Sequence, residues 1–216
     1  MIHNERRGNP VNKEIKLPSP KVKGTISVEE TISKRRSRRE YKDEPLSLKE
    51  VGQLLWAASG ITAKWGGRAA PSAGATYPIE TYLLVGRVEK LDSGLYHYLP
   101  SSHSLIKVME GSRPVDGMGG DLRRQLASAA LGQGMIREAP ITIVLAAVFQ
   151  RTTGRYGKRG IRYVNMEIGH IGENIYLQAE AMDLATVAVG AFNDAAVKKL
   201  LRLKEEVLYL MPVGRQ

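Results

Sequence analysis

Cysteine is absent from the 216 residues, which excludes a disulfide scaffold, a thiolate nucleophile, an iron–sulfur cluster and a cysteine zinc site. Histidine is scarce: four scattered side chains do not supply an all-histidine metal site, so no metal is expected. Long apolar runs are also lacking. The longest, residues 141–149, is far short of the roughly 20 residues that a spanning helix needs, so no membrane segment is expected. Residues 1–16 are polar and lack the apolar centre of a secretory signal, which makes a cytoplasmic location the expectation. No internal repeat is visible, and no Gly-Lys-Ser/Thr follows the glycine-containing loops, so a Walker phosphate loop is excluded.

What the chain does have is positive charge, and its placement matters more than its sum. The formal charge is +10, from 32 basic and 22 acidic residues. Residues 1–42 hold 12 Lys/Arg against 5 Asp/Glu, and residues 151–162 add Arg151, Arg155, Lys158, Arg159 and Arg162 with no acid. The remainder is slightly acidic. Charge gathered into two segments fits a phosphate-bearing ligand or an acidic partner better than it fits general solubility. With 43% hydrophobic residues, the composition is that of one globular domain of ordinary core size or two small ones.

Residues 1–24 are basic, carry Pro10, Pro18 and Pro20, and read as an extended arm before a single domain spanning 25–216. Ser27-Val-Glu-Glu30 is a capping-box pattern and predicts a helix to about Arg36; Ser47-Leu-Lys-Glu50 repeats it and opens a helix that Gly60 stops. Residues 60–78 are rich in Gly, Ala, Ser and Pro, a loop whose backbone can approach a ligand closely. Residues 81–85, 95–99 and 105–109 read as an antiparallel meander separated by turns. The spacing then predicts a helix over 121–131, a buried strand over 141–149, a long helix over 162–182, a strand over 184–189, a short helix capped by Asp194 and a last strand over 207–213. Helices and strands mix without strict alternation, which is an α+β pattern.

The densest local signal is Lys34-Arg-Arg-Ser-Arg-Arg39 with Tyr41. Guanidinium forks and a hydroxyl suit a phosphate, while a solvated basic helix end or a nucleic-acid patch are the other readings. Pro71-Ser-Ala-Gly74 is a small-residue loop; so is Val189-Gly-Ala-Phe192 before Asp194. Gly169 and Gly172 lie three residues apart on the long helix, where another backbone or a flat ligand would pack. His170 beside Glu173 lacks the ligand count of a metal site and reads as a hydrogen-bonded core or interface histidine.

Taken in order, Arg35-Arg36-Ser37-x-Arg39-x-Tyr41, Pro71-Ser-Ala-Gly74 with Tyr77-Pro78, Gly169-His170 with Asn174, Gly190-Ala-Phe192 and Pro212-Val-Gly214 resemble the flavin-dependent nitroreductase superfamily. Within it, the chain is similar to the branch of dehydrogenases that oxidise thiazoline and oxazoline rings in peptides. The resemblance spans about residues 15–216. It implies an FMN-binding α+β fold, a central mostly antiparallel sheet flanked by helices, in an intertwined homodimer with flavin at the interface and NAD(P)H as electron donor.

By position the resemblance implies that Arg35, Ser37 and Arg39 hold the FMN phosphate and ribityl chain, with Arg36 adding a contact. Ser72, Ala73 and Gly74 would come from the second subunit, and Gly190 and Ala191 would lie against the ring system. Gln133 occupies roughly the place of a polar flavin contact, and Arg215 that of a terminal phosphate-binding cation. In the ring-oxidising branch a Lys-Tyr pair takes a substrate proton. Here the pair is Arg155-Tyr156, and because arginine stays protonated a proton-abstracting role falls to Tyr156 alone or is absent. The functions this leaves are hydride transfer from NAD(P)H to a small organic or peptide acceptor, azoline oxidation, or a flavin store. A basic nucleic-acid-binding module is the reading from another class, and the resemblance weighs against it.

Overall fold

The computed structural model describes residues 14–111 and 121–216. Seven strands form one sheet in the order β1-β4-β3-β2-β5-β7-β6, and every paired neighbour is antiparallel. In chain order the elements begin with β1 (Glu14–Lys16), α1 (Val28–Lys34) and α2 (Leu48–Ser59). The meander follows as β2 (Ile79–Val85), β3 (Gly94–Leu99) and β4 (Ser104–Glu110), then α3 (Leu122–Ala129) and α4 (Gly134–Glu138). The second half is β5 (Ile141–Ala147), α5 (Phe149–Tyr156), α6 (Arg159–Glu180), β6 (Leu184–Thr186), α7 (Asp194–Leu201) and β7 (Glu206–Arg215). The α+β class and the meander stand as the sequence predicts.

β5 is the centre of the fold. All seven of its residues are buried, because helices cover both faces of the sheet there. Ile141, Ile143 and Leu145 point to a core made with Leu54 and Leu55 of α2 and Val164, Ile168, Ile171 and Ile175 of α6. Val144 and Ala146 point the other way, toward Leu126 of α3, Ile136 of α4 and Val197 and Leu201 of α7. This is why the run reads as continuously apolar and not as an alternating strand.

Several boundaries differ from the sequence reading. The apolar run ends as a strand at Ala147, and Phe149 already opens α5. The basic segment 151–162 is therefore helical, broken where Gly157 adopts φ 56° and its N–H caps the Thr153 carbonyl. α6 starts at Arg159, earlier than the expected Arg162. α1 ends at Lys34, so residues 35–39 leave the helix before their side chains are presented. The cap of α7 is Asn193, whose Oδ1 accepts the Ala196 N–H at 2.9 Å; Asp194 sits in the first turn instead. β6 keeps three regular residues, with Val189 making a separate bridge to Leu210.

The described part of the arm packs on its own chain. Glu14–Lys16 adds a strand to the β4 edge, Leu17 is buried against Gly52, and Gln53 of α2 exchanges two hydrogen bonds with the Lys21 backbone. Gln53 completes its set by donating to Gln178 of α6. Residues 1–13 lie outside the described residues.

The capping box of α2 is complete: Ser47 Oγ accepts the Glu50 N–H, and Glu50 accepts the Ser47 N–H at 2.7 Å. The same carboxylate binds Arg215 at 3.0 and 3.1 Å, which ties α2 to the end of β7. Ser47→Ala is expected to cost about 1 kcal/mol in urea unfolding, and Glu50→Ala more, because Glu50 also anchors Arg215.

Candidate functional site

The turn after α1 uses its cations unequally. Lys34 is paired with Glu30 and Arg38 with Glu180, so these two hold local structure. Arg36 folds back on the Ser33 and Arg35 carbonyls. Arg35 lies over the Tyr176 ring, 5.1 Å from its centroid, with Glu173 at 4.0 Å. Arg39 is exposed and has no ion pair or hydrogen-bond partner among the described residues. The backbone of the turn is fixed to the sheet edge, Arg38 N–H donating to Thr186 and Lys42 N–H to Arg215.

Tyr176 of α6 joins this turn to the second small-residue segment. Its hydroxyl shares a 2.9 Å hydrogen bond with Ser37 Oγ and accepts the Ala188 N–H at 2.7 Å. Two residues further on, Gly190 and Ala191 are exposed. A Cβ at Gly190 would lie 3.4 Å from the Tyr209 ring, which also packs on Gly172. Gln133 donates to the Ala191 carbonyl at 2.8 Å. Arg35, Ser37, Gln133, Gly190 and Ala191 are thus linked through a short chain of contacts, with Arg39 beside them in sequence. Gly172 faces the sheet, whereas Gly169 faces open space. His170 is exposed with no ring hydrogen bond among the described residues, so the core alternative for it is corrected: α6 presents it outward. Arg215 is held by Glu50 and Glu44.

The loop at residues 71–78 lies near the other end of α6. Gly74, Ala75 and Tyr77 all have positive φ, 60°, 53° and 45°, and the two that carry side chains cost of order 1 kcal/mol or more each. Side chains from α5 hold this strained path. Thr152 Oγ1 bonds Thr76 Oγ1 at 2.8 Å, Arg151 donates to the Tyr77 carbonyl at 2.9 Å, and Arg155 donates to the Gly74 carbonyl at 3.0 Å. Within the loop, the Tyr77 N–H donates to Ser72 Oγ at 2.9 Å. Arg68 stacks on the Tyr77 ring at 4.5 Å. Tyr156 is seated against Gly74, where an added Cβ would lie 2.5 Å from its hydroxyl and 2.6 Å from the Arg155 guanidinium. Two cations of the second basic segment are therefore spent on holding this loop.

Beside the loop, Glu80 accepts from His97 at 2.8 Å and pairs with Arg151. Burial pushes its carboxyl up, but His97 and Arg151 outweigh that and hold it at about 2. Among the described residues there is no group of three or more His, Cys, Asp or Glu side chains that could hold a metal, and no helix long and apolar enough to cross a membrane.

Sequence reasoning missed Tyr176 and Tyr209, whose roles come from non-local packing, and Arg68, which stacks on the Tyr77 ring. Thr152 and Arg151 carried a signal: they lie one turn before Arg155 and Tyr156, and would have stood out once that segment was read as helix.

The nitroreductase family matches residues 32–215. This chain belongs to that family. The Methanocaldococcus jannaschii protein "Putative nitroreductase MJ1384" is 44% identical over 203 residues, covering 94% of this chain and 96% of the relative. A nitroreductase-fold protein from Ralstonia eutropha, solved as a crystal structure, superposes with a TM-score of 0.76 at 28% identity, over 94% of this chain and 89% of that one. A chain of the Escherichia coli microcin synthetase McbBCD complex, solved with truncated pro-MccB17 bound, superposes with a TM-score of 0.66 at 26% identity, over 88% of this chain and 73% of that one. The family places the chain among oxidoreductase enzymes.

Gly74→Ala is expected to lower stability by about 1–2 kcal/mol or more, through the left-handed backbone and the push on Tyr156 and Arg155. Urea unfolding measures it; a neutral result would contradict the loop geometry.

Proposed function

We propose that the chain is an FMN-dependent oxidoreductase acting as a homodimer, with NAD(P)H as electron donor and an organic molecule as acceptor. The observation that carries this reading is the unpaired Arg39 beside Ser37 and Arg35, on a turn whose other cations are occupied. That set fits a dianionic phosphate: two guanidinium groups and a hydroxyl, held by Tyr176 and the sheet edge. The exposed backbone at Gly190 and Ala191, steadied by Gln133, offers the close approach a flat ring system needs. Bound FMN would supply the hydride chemistry, which is why a chain without a thiol or metal set can still do redox work.

Arg215 is a weaker candidate for the phosphate, because Glu50 and Glu44 already engage it. Arg36 can add a contact only by releasing the carbonyls it now donates to. Ser72, Ala73 and Gly74 are assigned to the partner's cofactor. The loop at Gly74 is held by Arg155 and sits against Tyr156, just before α6 begins at Arg159, whereas Ser37 is held by Tyr176, 17 residues or about 25 Å along that helix. Along its exposed side α6 presents Ile161, Met166, Gly169 and His170, a surface suited to a second copy.

A second reading is oxidation of azoline rings in a peptide. Its support is the likeness to the McbBCD chain and the seat of Tyr156 on the Gly74 loop. Arg155, bonded to Gly74, serves there as a brace and not as a base.

The purified protein is expected to take up FMN, one per chain, with quenching of flavin fluorescence. Arg39→Ala should weaken binding about 10- to 100-fold, the loss of a charge-assisted phosphate contact. Absence of flavin uptake by the wild type would contradict the proposal. Tyr156→Phe separates the two readings: it leaves NAD(P)H oxidation intact and abolishes azoline oxidation if Tyr156 takes the substrate proton.

A further inference from the structure

We infer that Glu80 is a positioning residue for the proposed flavin site: through Arg151 it holds Tyr77, and through Tyr77 the Ser72 hydroxyl, in the loop that meets the cofactor. The inference rests on the FMN reading above and gives a role to a carboxylate which that reading does not use.

The contacts form one chain. Glu80 lies on β2, two residues past Pro78, and its side chain is 16% exposed. Its two oxygens are taken by different partners: Oε1 pairs with Arg151 Nη2 at 2.5 Å, and Oε2 lies 2.8 Å from His97 Nε2. The His97 ring is itself stacked on Tyr82, with centroids 4.7 Å apart, so the carboxylate is fixed from the sheet. Arg151 spans to the loop, its Nη1 donating to the Tyr77 carbonyl at 2.9 Å. The Tyr77 N–H then donates to Ser72 Oγ at 2.9 Å. Carboxylate, guanidinium, peptide and hydroxyl therefore follow one another without a gap.

The link that needs an anchor is Arg151, whose side chain is 41% exposed. A free arginine samples many rotamers, and one hydrogen bond to a neutral carbonyl is too weak to hold it. A charge-assisted pair with a carboxylate that is itself fixed removes that freedom. Burial works against the charge on Glu80, but His97 and Arg151 hold the carboxyl at about 2, so it is ionised near neutral pH. Tyr77 is where the hold is felt. Its φ of 45° is left-handed backbone, which a residue with a side chain adopts when its surroundings impose it, and such strain gathers at ligand sites. Thr152 and Arg155 fasten Thr76 and Gly74 separately. Releasing Glu80 would thus loosen Tyr77 and Ser72 while the loop keeps its other ties.

The test uses wild type, Glu80→Leu, Arg151→Met and the double variant. FMN affinity and the quenching of bound flavin at saturation are read by fluorescence, and folding by thermal melting of the flavin-free protein. Leucine keeps the bulk but accepts nothing; methionine keeps the stem without the donors. Each single variant is expected to bind FMN about tenfold more weakly, and the flavin it does bind should be less quenched, with visible bands closer to those of free FMN. The double variant should lose no more than about tenfold, since both changes break one chain of contacts. A lower melting temperature with affinity and bound-flavin spectrum unchanged would make Glu80 structural only and overturn the inference. Losses that multiply to about a hundredfold would overturn it too, and either result leaves the FMN reading standing. No FMN uptake by wild type would overturn both. Should Glu80→Leu fail to fold, Glu80→Gln takes its place: a smaller loss that vanishes in the Arg151→Met background is expected. An equal loss in both backgrounds, or none in either, contradicts the inference.

Discussion

The packing of α6 on the sheet is the constraint from which the rest follows. Val164, Ile168, Ile171 and Ile175 bury one stripe of the helix in the core that Ile141, Ile143 and Leu145 of β5 also line. That burial fixes the helix in rotation and in height, and everything functional is referred to it. Tyr176 comes up under the basic turn, and the helix begins three residues after Tyr156, which sits against Gly74 of the 71–78 loop. Gly172 lets the helix lie close to Tyr209, whose ring in turn lies against Gly190. A shift of α6 by one residue would displace the Ser37 and Gly190 segments together.

The second determinant is strain. Three residues of the loop adopt left-handed backbone, and α5 supplies the compensation through Arg151, Thr152 and Arg155. This changes the meaning of the second basic segment. Two of its cations act on the loop, and Lys158, Arg159 and Arg162 remain exposed at the start of α6. The charge that suggested an acidic partner is in part an internal fastening, as it is in the first segment for Lys34 and Arg38.

Much of the fold was legible because local and tertiary signals agreed. Ser47 with Glu50, the turn chemistry of the meander and the apolar run from Ile141 each name an element that the structure contains. The failures share a cause. α5 is polar and basic, with its one buried residue at Thr152, so no apolar period announces it. Its job is to bind a loop, which hydropathy does not record. The site was legible as a set of small residues and cations in order, but not which cations were free: only the partners Glu180 and Glu30 distinguish Arg38 and Lys34 from Arg39. Tyr176 could not be found from spacing, since its partner Ser37 lies 139 residues away in the chain.

The central claim is that each cofactor site is built from the basic turn of one chain and the 71–78 loop of another. Subunit mixing tests it directly. Arg39→Ala and a loop-disrupted Gly74→Ala chain are each expected to bind FMN weakly alone. Dimers re-formed from an equal mixture should regain about a quarter of the wild-type high-affinity sites, because half the dimers are hybrids and each hybrid holds one undamaged pairing of turn and loop. No recovery on mixing, with hybrids shown to form, would place the whole site within one chain and contradict the account.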